Sequence, residues 1–131
     1  MHPHYPDDRL YHRDALWLKV LESGEALVGI NHHAQASLGQ VVYLDLPRVG
    51  SVLSPGAPLG TVESHKAVSD MIAPAGGEVL AVNPCLRDEP GLVNRDPYGE
   101  GWVLRLRLAS PEATGGLLSA ADYLAHLGGK G

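Results

Sequence analysis

Lys66 sits in the polar stretch Glu63-Ser64-His65-Lys66-Ala67-Val68-Ser69-Asp70, between the apolar runs 57–62 and 71–74. Two strand-like runs joined by a few residues predict a hairpin. A lysine at its tip projects into solvent, where an enzyme could reach and modify the amine. Lys19 falls within a predicted strand and Lys130 in the tail, so Lys66 is the one lysine in such a setting. Glu63 and Asp70 bracket it with negative charge. That charge suits a basic docking surface, and it would equally serve to solvate the tip. His65 brings an imidazole, the side chain able to change charge nearest neutral pH, to the root of the lysine.

Other reactive groups are sparse. Cys85, between Pro84 and Leu86, reads as a small buried hydrophobe rather than a reactive thiol. His32 and His33 are consecutive, so on a helix they diverge by about 100° and cannot chelate one metal well. With His2, His4 and His12 they could form an adventitious site, but sequence-adjacent histidines lack the usual ligand spacing and no metal site is predicted. The chain offers no Ser-His-Asp arrangement, no glycine-rich phosphate loop and no paired cysteines, and is expected to be non-catalytic.

The elements that must position Lys66 can be read outward from it. Pro55-Gly56 and Pro74-Ala75-Gly76-Gly77 are turn signals on either side of the hairpin. Each leads into an apolar strand, 59–62 and 79–82, a weak internal echo that suits two facing sheets. Residues 16–20 and 25–30 flank Glu22-Ser23-Gly24 as a further hairpin. Asn31 is a helix N-cap for 32–38, with Gly39 at the end. Residues 41–46 form a strand closed by Pro47. Residues 84–98 are loop or short helix, broken by Pro90 and Pro97. Residues 102–108 alternate, so one face is buried while Arg105 and Arg107 meet water. Ser119-Ala120-Ala121-Asp122 opens a terminal helix over 119–127. The expected fold is mostly β: a flattened barrel or sandwich of two antiparallel sheets with short peripheral helices.

Composition sets outer bounds. A chain of 131 residues suggests one domain, with its core at about 11–108. A net charge of −5 repels phosphate backbones, so nucleic acid is not an expected partner. No apolar run is long enough to span a bilayer, and the N-terminus lacks the blocks of a signal peptide. One cysteine fits a reducing compartment, and a cytoplasmic location is expected. Phe is absent and aromatics are 5%, so the core must be aliphatic, with Trp17 and Trp102 as the large fillers.

The run Glu63-Ser64-x-Lys66-Ala67, followed by Ala73-Pro74-x-x-Gly77-Glu78-Val79, resembles the lipoyl-attachment hairpin of lipoate-carrying domains. Val28-Gly29-Ile30, Ala34-Gln35-x-x-Leu38-Gly39 and Leu44-x-Leu46-Pro47-x-Val49-Gly50 precede it, and Asn94-x-Asp96-Pro97-Tyr98-Gly99-Glu100-Gly101-Trp102 follows. Together they are similar to the glycine cleavage H-protein family over roughly residues 11–126. The last run is the most family-specific piece, since lipoyl domains of ketoacid dehydrogenases lack it.

The resemblance implies a barrel-sandwich hybrid like a lipoyl domain and a covalent lipoic acid amide on Lys66. It also implies that Glu63, Ser64, His65, Ala67 and Asp70 form the hairpin recognised by a lipoate ligase or lipoyltransferase. The implied role is to carry an aminomethyl group among glycine decarboxylase, aminomethyltransferase and dihydrolipoamide dehydrogenase, as a monomer. The match departs where the family has His-Glu-Trp and this chain has Ala15-Leu16-Trp17, where Asn31-His32-His33 replaces Thr-Asp-Tyr, and where His65 replaces Val. In the family the first pair helps line the groove that receives the loaded arm, so its loss predicts weaker glycine chemistry. A second reading follows: an H-like lipoate-binding protein carrying sulfur to a heterodisulfide-reductase-like complex in sulfur oxidation. A third, an unmodified β-rich interaction domain, sits poorly with an intact attachment octet.

Overall fold

The computed structural model describes residues 5–12, 16–110 and 114–128. In chain order the elements are β1 (Leu10–Tyr11), β2 (Leu16–Val20), β3 (Glu25–Ile30), α1 (His32–Leu38), β4 (Val41–Asp45), β5 (Val52–Leu53) and β6 (Pro58–Ser64). Then follow β7 (Val68–Ile72), β8 (Gly77–Val82), α2 (Cys85–Asp88), α3 (Leu92–Arg95), β9 (Leu104–Leu108) and α4 (Ala120–Gly128). Two antiparallel sheets result. One has six strands in the order β1-β2-β3-β9-β8-β5, and the other has three, β4-β6-β7. This is the mostly β, two-sheet architecture expected, with short helices around it. No helix among the described residues is long and apolar enough to cross a membrane.

The sheets form because their strands alternate. In β9, Leu104 and Leu106 are buried while Arg105 and Arg107 face solvent, as predicted. Arg107 reaches Glu78 at 3.2 Å on the neighbouring strand, and Arg105 approaches Glu25 at 3.8 Å. The alternation does not extend back to Trp102: Val103 is buried alongside Leu104, and the strand begins only at Leu104. Asn83 explains the break. Its side-chain amide donates to the Glu100 and Trp102 carbonyls at 2.7 and 2.8 Å, holding that stretch as a loop.

The main core between the sheets is aliphatic, as the composition requires. It includes Leu18, Val28, Ile30, Val62, Met71, Val79, Leu104 and Leu106. Fully burying each such side chain is worth about 1.5–3 kcal/mol. A second, aromatic cluster was not foreseen. Tyr5, Tyr11, Trp17 and Tyr123 pack together with Ala120 of α4. Trp17 fills it as expected, but Trp102 is only half-buried at its margin. Tyr11 stacks on Tyr123 with centroids 5.3 Å apart, and the Tyr11 hydroxyl donates to the Pro6 carbonyl at 2.7 Å. Ser119 caps α4 through its hydroxyl, which accepts from the Asp122 amide at 3.1 Å.

These phenols carry a pH signature. Burial pushes Tyr5 and Tyr11 above the ordinary phenol range, and Tyr98 up to about 12. Raised folded-state values favour the neutral form. The stabilisation is therefore complete below the unfolded value near 10 and is lost as pH climbs through the folded values. The melting temperature should hold to about pH 9 and fall steadily from about pH 10 to 12. Melting curves across that range check this, and a flat profile would contradict it.

Candidate carrier site at the Lys66 hairpin

Strands β6 and β7 pair antiparallel, with Thr61 opposite Asp70, Val62 opposite Ser69 and Glu63 opposite Val68. The turn closes through the Ser64 amide donating to the Ala67 carbonyl at 2.9 Å. The Ser64 hydroxyl, itself buried, accepts from the Lys66 and Ala67 amides at 3.3 and 3.2 Å. This side-chain-to-backbone turn fixes the tip. Ser64 thus serves the turn, while His65, Lys66 and Ala67 stand exposed.

Register decides which neighbours share the hairpin's outer face. Tyr43 lies opposite Glu63, and Asp45 opposite Thr61. Side chains directly across a pleat point to one side. Tyr43, Asp45, Glu63, Val68 and Asp70 therefore form one surface, on which Tyr43 is 55% and Val68 65% exposed. Glu63 and Asp70 fall together as the sequence suggested. Tyr43 and Asp45 were not foreseen, because nothing local in the chain gives the β4–β6 register.

On the other side of the hairpin runs a groove of about 320 Å³. Its walls are largely aliphatic, with Leu16, Ile30, Leu38, Val62 and Met71; Asp70 borders it from β7, with its side chain on the outer face. Helix α1 supplies His33, Ala34, Ser37 and Leu38. Asn31 caps that helix as predicted, its side-chain oxygen accepting from the Ala34 amide at 2.9 Å. Gly39 ends it at φ +75°, a conformation that favours glycine. The Lys66 side chain crosses directly over Gly39: its Cε is 3.4 Å from where a β-carbon there would stand. A larger hollow of about 420 Å³ between β4 and α2 contains no hairpin residue.

The remaining candidates separate. Cys85 is exposed, which corrects its expected burial. It opens the one-turn helix α2, where Leu86 takes the inward position and leaves Cys85 outside. His33 is exposed at the groove, whereas His32 is half-buried with its ring 6.0 Å from Tyr5. Among the described residues no three metal-ligating side chains come together. His2, His4 and Ala15 lie outside the described residues; Leu16 lines the groove.

Comparison with known proteins adds a family. The glycine cleavage H-protein family model matches residues 9–129. A glycine cleavage system H protein of Opitutus terrae is 50% identical over 123 residues, covering 94% of this chain and 97% of the relative. That of Rubrobacter xylanophilus is 48% identical over 122 residues, 93% of this chain and 94% of the relative. A crystal structure of a glycine cleavage system H protein from Mycobacterium marinum superposes with a TM-score of 0.86 at 39% identity, covering 94% of this chain and 98% of that one. The chain belongs to the glycine cleavage H-protein family, whose members are carriers rather than catalysts.

Proposed function

We propose that the whole chain is one carrier domain that bears lipoic acid on Lys66. In this role it shuttles an aminomethyl group among glycine decarboxylase, aminomethyltransferase and dihydrolipoamide dehydrogenase. One observation carries the reading: an exposed lysine on a rigid turn, beside an aliphatic groove. The residues fit the group. The amine is open to acylation, and the aliphatic walls would accept an alkyl chain. When bound, lipoate supplies a dithiolane, which exchanges with thiols and carries groups. The protein's own residues present the lysine, shelter what it carries from water and dock on partners. The alternative sulfur cargo gains no support, since the relatives described above are all glycine cleavage proteins. Incubating the unmodified chain with lipoate and a lipoate ligase, then mapping peptides by mass, tests the attachment. One lipoyl group on the Lys66 peptide is expected; modification elsewhere would overturn the assignment.

The acidic face predicts how the modifying enzyme finds this tip. Glu63 and Asp70 are exposed and bracket Lys66 on the two strands of the hairpin. Exposed charges act mainly on association rate. Changing Glu63→Gln and Asp70→Asn together should slow lipoylation by up to about tenfold at low salt. The natural protein's rate should fall as added salt screens the field. Stability should move by no more than about 0.5 kcal/mol. Equal rates for both proteins at every salt concentration would mean that the acids only solvate the tip.

A further inference from the structure

The run from Asn94 to Trp102 is the most distinctive of the chain, yet none of it lines the groove or the hairpin tip. Two of its side chains, Asn94 and Tyr98, reach instead to the two ends of α1. At the helix start, the Tyr98 hydroxyl accepts from the His32 amide at 2.9 Å. At the helix end, the Asn94 side-chain amide donates to the Gly39 carbonyl at 2.7 Å and to the Gln35 side chain at 3.3 Å. The Asn94 side-chain oxygen accepts from the Val41 amide at 2.9 Å, so Asn94 holds both sides of the junction between α1 and β4. The run is itself anchored in the aromatic cluster. The Trp17 indole donates to the Pro97 carbonyl and the Arg9 guanidinium to the Tyr98 carbonyl, each at 2.9 Å.

What α1 does with that bracing is visible at the site. The helix is one wall of the groove, and Gly39 directly after it is the backbone over which Lys66 lies. We propose that Asn94 and Tyr98 are positioning residues for the carrier lysine: they pin α1 at both ends and thereby hold the Lys66 side chain along the mouth of the groove. Held so, the root of the arm starts beside the groove instead of sweeping freely about the tip, which shortens the search between sheltered and presented positions. The use of this device rests on the carrier reading, but the hold on the unmodified lysine is measurable by itself.

The test is NMR of the full, unmodified chain with Asn94→Asp, Tyr98→Phe and, as a control on the exposed face of α3, Arg95→Ala. Asn94→Asp keeps the acceptor for the Val41 amide but sets a carboxylate against the Gly39 carbonyl. It should cut the cross-relaxation between the Lys66 ε-methylene and the Gly39 α-protons to less than about half, because losing that hydrogen bond frees the backbone it held. Tyr98→Phe should speed exchange of the His32 amide by about fivefold, the equivalent of one hydrogen bond of about 1 kcal/mol. It should also weaken the Lys66 contact, and Arg95→Ala should change neither. Should Asn94→Asp fail to fold, Tyr98→Phe decides. If the folded variants keep the native Lys66–Gly39 contact, whatever the exchange at His32, the positioning role is wrong. A chain that no ligase modifies would defeat the carrier reading instead, so the two failures are distinct.

Discussion

Lys66→Arg should abolish lipoylation and every activity that depends on the arm. Amide formation needs a primary amine that can lose its proton, and a guanidinium cannot. The substitution keeps the charge and much of the length, and the site is exposed, so folding stability should change by no more than about 0.5 kcal/mol. A ligase assay followed by intact mass, beside a melting curve, separates loss of the attachment point from loss of the fold. Residual lipoyl mass on the variant would mean that a second site exists. A collapsed melting curve would mean that Lys66 supports the structure and that its loss of function is indirect.

Trp17→Ala should be the most damaging single change to stability. The side chain is 1% exposed and lies across β2–β3 from Gly29. A β-carbon at Gly29 would stand 2.7 Å from the indole, so the ring occupies the space that glycine leaves. The Arg9 guanidinium sits 4.6 Å from the ring centroid, and the indole N–H holds the Pro97 carbonyl. Removing the ring opens a cavity, strips the support from a largely buried cation and releases the 94–98 segment together. The cost should be about 3–5 kcal/mol. In a chain of this size that lowers the melting temperature by roughly 10–20 °C. A loss below about 1 kcal/mol would show that the aromatic cluster is peripheral to folding.

The parts of this molecule that were legible in the sequence are those written in adjacent residues. The Lys66 hairpin, the Asn31 cap, the Ser119 cap and the Arg105/Arg107 alternation each depend on side chains within a few positions of one another. Cys85 misled because a one-turn helix gives too few residues to show which side faces in. The rest required knowledge of what lies beside what. The aromatic cluster gathers Tyr5 and Tyr11 from one end of the chain and Tyr123 from the other. Tyr43 reaches the acidic face only through the β4–β6 register. The bracing of α1 joins Asn94 to Gly39 across 55 positions. The run that carries Asn94 was recognised by its resemblance to a family, but what its side chains hold became clear only in three dimensions.

The role proposed for this chain is that of the carrier component in glycine cleavage. It is tested most directly by reconstitution: the lipoylated chain as sole carrier, with glycine decarboxylase, aminomethyltransferase and dihydrolipoamide dehydrogenase. Glycine-dependent reduction of the terminal nicotinamide acceptor is expected, vanishing with Lys66→Arg and rising when Ala15→His and Leu16→Glu restore the family's pair. A chain shown by mass to carry one lipoyl group on Lys66, yet giving no glycine-dependent turnover with or without that pair, would contradict it.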